Sequence, residues 1–156
     1  KRLSIMKKKL LIIFVSLLLS GNASATLKGV NKVALLIEDI SKYTVECSVT
    51  RKKIETTAKY ILQNSKIKTD PEFITIIYIR VIGVHNGDIC SIYSRITVET
   101  NLAKDPYQLG NRGSFIFYQN ERIAVGGINN NIGDLVINSI EEMMKELVVQ
   151  HHEDNQ

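Results

Sequence analysis

Apolar residues recur along this chain with two periods, and the switches between them predict its elements. Val33 to Ile37 is a short apolar run closed by Glu38-Asp39, with the length and branching of a buried strand. Ile54, Ala58, Ile61 and Leu62 then recur at helical spacing, and Thr50 is placed to cap that helix. Phe73 to Ile82 is rich in isoleucine and apolar on both faces. It predicts the central strand of a sheet, covered on both sides or nearly so. From Cys90 to Glu99 the period is two. Cys90, Ile92, Ser94, Ile96 and Val98 share one face, and Ser91, Tyr93, Arg95, Thr97 and Glu99 the wetter one.

Asn101 to Gly113 contains Asp105-Pro106 and two glycines and predicts a loop. Ser114 to Gln119 predicts a fourth strand, and Arg122 to Gly127 a short fifth. Ile132, Leu135, Val136, Ile140, Met143, Leu147 and Val148 then form a wide helical stripe. Asn131 is its candidate cap, and Asp134 stands in the first turn, where negative charge suits the helix dipole. The order β-α-β-β-β-(β)-α predicts a two-layer α+β sandwich. One mixed sheet of four to five strands carries two helices on the same face. The first strand–helix–strand unit is expected to be parallel and right-handed, and the later strands an antiparallel meander. Residues 26–150 read as one domain, and the polar end His151 to Gln156 as a disordered tail.

The amino end changes the charge picture. After Met6, the expected start, Lys7, Lys8 and Lys9 precede an apolar run from Leu10 to Leu19, and Ala23-Ser24-Ala25 offers a small-x-small cleavage pattern. Residues 1–25 therefore read as a signal peptide with upstream residues, cleaved after Ala25, and the apolar run is half the roughly 20 residues of a spanning helix. No cysteine between Leu17 and Thr26 offers a lipidation site. The net charge of +4 comes from 20 basic and 16 acidic residues. Five of the bases and none of the acids lie before the cut, so the remainder has 15 against 16. A nucleic-acid-binding domain is expected to be basic, so no nucleic-acid partner is expected. No cofactor is expected, and the location implied is periplasmic or secreted.

The chemistry-bearing residues gather at "VHNGDIC", Val84 to Cys90. Asn86-Gly87 between two strands predicts a tight hairpin turn, since both central positions of a primed turn need positive φ. His85 and Asp88 then flank the turn. Topology places Cys47, just before the first helix, at the same end of the sheet as Cys90. An exported chain with two cysteines invites a bridge between them. Closing a loop of that length stabilises by about 4 kcal/mol through loop-closure entropy. The rival is a pair of buried free thiols. The same residues could form a Cys–His nucleophile pair from Cys47 or Cys90 with His85, or a metal site from Cys47, His85, Asp88 and Cys90. Neither has a recognisable local motif or regular spacing, and no catalytic residue and no metal ligand is assigned. His151-His152-Glu153-Asp154 is a further weak metal candidate. Val125 to Asp134 puts glycines before a helix, a place where an anion can sit, but without the lysine of a phosphate loop.

Arg51, Lys52 and Lys53 open the first helix, where positive charge opposes the dipole. They are a candidate contact for an anion or a partner, beside the plainer reading of a solvated cluster. Lys28 to Lys68 holds nine positive and four negative residues, and Asp134 to Asp154 six negative and one positive. The two helices could attract each other or present opposite poles for self-association into a homo-oligomer.

With its segments placed, the chain resembles small secreted bacterial proteins and accessory α/β domains of envelope systems. The likeness rests on "LKGVNKVALLIEDI", a helix, a strand, a hairpin, and "GSFIFYQNERIAVGG" leading to a last amphipathic helix. Among such domains are the N-terminal domain of the Tol-system propeller protein and auxiliary subunits of lipid ABC transporters. The resemblance implies an envelope role by binding, with no catalytic residue to carry over. The chain departs from it in its two cysteines and in lacking a lipidation site or an attached propeller. The reading is an exported non-enzymatic binding or accessory protein of the envelope, its partner an envelope protein or a small ligand. The alternatives are a secreted thiol- or metal-dependent hydrolase and a small-ligand carrier with a pocket between sheet and helices.

Overall fold

A computed structural model describes residues 26–101, 114–128 and 131–156. The expected signal segment 1–25 and most of the loop expected over Asn101 to Gly113 lie outside the described residues. In chain order the elements are β1 (Lys32–Ile37), α1 (Lys42–Glu46), α2 (Arg51–Gln63), β2 (Lys68–Thr69), β3 (Thr75–Asn86), β4 (Ile89–Asn101), β5 (Ser114–Gly127) and α3 (Ile132–Asp154). They form one mixed sheet in the order β2-β1-β3-β4-β5. β1 pairs in parallel with β2 and β3, and β3, β4 and β5 form an antiparallel meander. The expected α+β architecture is therefore the observed one, with β3 at the sheet centre.

The helices pack on one face. Ile54, Ala58, Ile61 and Leu62 of α2 and Val136, Ile140, Met143, Met144 and Leu147 of α3 are buried against Ile77, Ile79, Ile92, Ile96 and Val98. Burial of each such side chain contributes on the order of 1.5–3 kcal/mol, so this layer is the main source of stability. The opposite face carries no helix among the described residues. β3 is accordingly not covered on both sides as its composition suggests: Ile82 and Val84 on its outer face are 47% and 59% exposed.

Three local differences have simple causes. The short α1 and the two-residue β2 lie below the length at which a period shows. Ser114 to Gln119 and Arg122 to Gly127 join into a single strand, because Asn120 and Glu121 continue the alternation instead of breaking it. Asn120 meets Glu146 of α3, and Glu121 accepts from the Tyr93 hydroxyl at 2.6 Å on the other face. A bulge opposite Val98/Glu99 absorbs one extra residue. Asn131 precedes α3 in the left-handed region (φ 55°) and makes no side-chain cap, which would need extended backbone. Thr50 does cap α2, accepting from the Lys53 amide at 3.4 Å.

The expected disordered tail is instead the last turn of α3 and its cap. His151 is buried, its Nε2 bonded to the Val30 carbonyl. The Asp154 carboxylate accepts from the Leu27 amide at 2.7 Å, and Asn155 Oδ1 accepts from the Gly29 amide at 2.8 Å. Leu27 is thereby held at 1% exposure. These polar residues look like a tail only because their partners lie more than a hundred positions away.

The Leu27 amide, followed by the Gln150 and Thr26 side chains, holds the Asp154 carboxyl below the usual carboxylate range. Its contribution to stability is present above the unfolded value of about 3.9 and is lost as pH falls through the lower folded value. Asp154→Ala should lower the melting temperature at pH 6 and speed amide exchange over residues 27–30. The difference from wild type should vanish in melts taken well below pH 3.

Candidate functional site

The chemistry-bearing residues meet where α1 lies across the end of the β3–β4 hairpin. Ser41 caps α1, its hydroxyl accepting from the Thr44 amide at 3.3 Å. Tyr43, Glu46 and Cys47 then stand three and four positions apart, on one side of this single turn. Cys47 is bridged to Cys90 with a Cα–Cα separation of 6.1 Å, and both are fully buried. The Glu46 carboxylate lies 2.6 Å from His85 Nε2, and the Tyr43 ring meets the His85 ring edge-on with centroids 5.5 Å apart. His85 and Cys90 are cross-strand neighbours on the inner face, so all three contacts converge on one point.

Thr44 supplies a fourth contact. It is fully buried, and its hydroxyl accepts from the Gly83 amide at 2.8 Å. A Cβ at Gly83 would stand 2.8 Å from that hydroxyl and 2.9 Å from the Thr44 Cα, so only glycine lets α1 sit this close. The chain then turns through Ser48 in the left-handed region (φ 66°). A Cβ at Gly133, in the first turn of α3, would lie 2.7 Å from the Ser48 carbonyl oxygen. Two glycines thus let the α1–α2 connection settle between the hairpin and α3.

The hairpin turn lies one residue beyond the expected place. Asn86 pairs with Ile89, leaving Gly87 and Asp88 as the central residues. Gly87 has φ 59° and Asp88 is not left-handed, as in a primed turn with glycine first. An Asn86-Gly87 turn needs positive φ at both positions; this one needs it only at glycine. The shift places His85, rather than Gly83, opposite Cys90. It also puts Asp88 at the exposed tip, away from the pair.

The expected disulfide is present, and with both sulfurs bonded to each other neither is free to act as nucleophile or ligand. Glu46 and Tyr43 are the partners that sequence reasoning missed. Their spacing from Cys47 is a visible signal once a helix is known to precede that cysteine. Among the described residues, no three His, Cys, Asp or Glu side chains converge in a way that could hold a metal ion.

The basic cluster is drawn into the molecule's own contacts. Arg51 reaches Asp39 at 2.7 Å and Lys53 reaches Asp134 at 3.5 Å, while Lys52 stays exposed. Exposed pairs of this kind contribute about 0–1 kcal/mol each. The Lys53–Asp134 contact joins α2 to α3, one instance of the attraction expected from their opposite charge. Two grooves flank α2. One of about 290 Å³ lies between α2 and β1, with Leu35 and Ile37 beside Arg51, Glu55, Lys59 and Asp70. One of about 310 Å³ is lined by Thr50, Lys52, Lys53, Thr56, Thr57 and Ile137.

No family model matches the chain, and no curated protein matches its sequence. A solved structure of a minor lipoprotein from Acinetobacter baumannii is similar at 16% identity and a TM-score of 0.33, over 78% of this chain and 91% of that one. A likeness this distant leaves function to be read from the residues themselves.

The glycines of the hairpin should separate close packing from backbone conformation. Gly83→Ala, which drives a methyl into α1, is expected to lose about 2–4 kcal/mol. Gly87→Ala meets nothing within 4 Å and should lose only about 1–2 kcal/mol for its positive φ. Urea unfolding of the two variants with the disulfide intact checks the order.

Proposed function

We propose that this chain is an exported, non-enzymatic accessory protein of the bacterial envelope, working by contact rather than by covalent chemistry. The observation that carries this reading is the use of Cys47, Cys90, His85 and Glu46 as one structural clasp. The residues from which a thiol hydrolase would be assembled instead tie α1 to the hairpin. A disulfide of this kind forms and persists in oxidising compartments, which agrees with a leader removed after Ala25. The resemblance of the chain's pattern to accessory envelope domains supports the same reading. A small-ligand carrier remains the alternative, for which the grooves beside α2 offer charged edges.

The test joins location to thiol content. The full chain, tagged at its carboxyl end and expressed with its own leader, should be recovered from the periplasm beginning at Thr26. Denatured without reductant it should show no titratable thiol, and two after reduction. Cys47→Ser with Cys90→Ser should lose on the order of 4 kcal/mol. Recovery in the cytoplasm with two free thiols would return the thiol-enzyme reading.

A further inference from the structure

The face of the sheet opposite the helices carries an aliphatic strip at its hairpin end. The strand register sets it out in rows: Ile89 near the tip, then Val84, Ser91 and Val125, then Ile82, Tyr93 and Ile123. Ile82, Val84, Ile89, Ile123 and Val125 are 47%, 59%, 59%, 72% and 63% exposed. Together they leave on the order of 500 Å² of apolar surface in water, at the upper end of what monomers show and an extent that is often functional. The next row is charged, with Arg80, Arg95 and Glu121 side by side. Arg80 is answered by Glu38 at 2.5 and 3.1 Å, and Glu121 by the Tyr93 hydroxyl. Arg95 Nε is buried and has no acceptor among the described residues.

We propose that a second copy of this chain covers the strip, sheet face to sheet face, about a twofold axis passing between the Ser91 and Tyr93 rows. Area and charge both favour this occupant. Two strips together remove on the order of 1,000 Å² of aliphatic surface. Tyr93, Ser91 and the flanking row carry the total into the range of about 1,200–2,000 Å² typical of stable interfaces. The contact is isologous, so one patch serves both partners. A twofold axis at this level brings the Arg95 row of each copy against the hairpin tip of the other. Asp88 is exposed there, its carboxylate without a hydrogen-bond or ion-pair partner among the described residues. The Arg95 guanidinium is thereby set against an exposed carboxylate. The charged row also ends the apolar contact on one side, and the turn ends it on the other.

Sedimentation velocity of the oxidised, exported protein from 1 to 100 µM tests this. The expected result is a dimer. Ile123→Glu and, separately, Val84→Glu should each weaken it at least 100-fold with unchanged circular dichroism and no free thiol. Asp88→Lys should weaken it about tenfold, and Val149→Glu, on the exposed side of α3, should leave it unchanged. A wild-type monomer at 100 µM overturns the proposal, as does a dimer indifferent to Ile123→Glu and Val84→Glu. A monomer whose strip instead binds vesicles of phosphatidylglycerol and phosphatidylethanolamine, with loss on Ile123→Glu, also overturns it and gives the face to lipid.

Discussion

β3, β4 and β5 run on together past the end of β1, and covering the inner face of that stretch is the constraint on which the rest of the domain depends. β1 pairs with β3 only from Ile76 to Ile79, yet β3 continues to Asn86. Beyond that point β3 has no strand on its β1 side. From there to the turn the sheet is three strands wide, with β5 paired to β4 as far as Gly127, and its inner face still has to be covered. The chain meets the need with the segment that leaves β1. Glu38 donates its amide to the Ile79 carbonyl and grips Arg80 through its side chain. Five residues of α1 then cover the inner face at Gly83, His85 and Cys90. The Cys47–Cys90 bridge makes that contact covalent, across a sequence separation of 43 residues. The first turn of α3 rests on the connection that follows, so the clasp also sets where the long helix begins.

What the sequence makes legible follows from this arrangement. Cys90 to Val98 alternates because one face is buried against α2 and α3, while Ser91, Tyr93 and Arg95 on the other are half in water; Thr97, expected on that wetter face, is instead buried. The disulfide could be inferred because topology alone brings both cysteines to one end of the sheet. α1 could not be read as a helix: one turn shows no period, and Tyr43 and Val45 remain exposed. The turn displaced by one residue reflects a choice between two acceptable primed turns. Local chemistry favours Asn-Gly. The observed register needs only one left-handed residue and leaves Gly83 free to lie beneath Thr44.

The carboxyl end conceals its structure for a different reason. His151, Asp154 and Asn155 are polar and terminal, which by composition describes a frayed tail. Their partners are backbone groups of Leu27, Gly29 and Val30, and no periodic or local signal connects positions so far apart. Here burial is created by hydrogen bonds to the backbone rather than by apolar side chains. His151 is 7% exposed, its ring closing on the Val30 carbonyl.

The domain is thus fastened at both ends of its sheet by contacts remote in sequence, the clasp at one end and the latch between Leu27 and Asp154 at the other. Both fastenings serve the inner layer. Most residues that suggested chemistry are taken up in such contacts: the cysteines and His85 in the clasp, His151 and Asp154 in the latch, and Arg51 and Lys53 in ion pairs, while Lys52 and Asp88 stay exposed. What the fold leaves unspent is of another kind. It is an exposed strip of Ile, Val and Tyr on the face that no described helix covers, ended by a row of charges and the hairpin turn. Catalysis asks for convergent polar groups in a concave site, whereas recognition asks for area, shape and a defined rim. That contrast is the physical ground of the accessory role proposed above, exercised through a surface. The clasp lies beneath that surface, since the strip occupies the stretch of β3 and β4 that β1 does not flank.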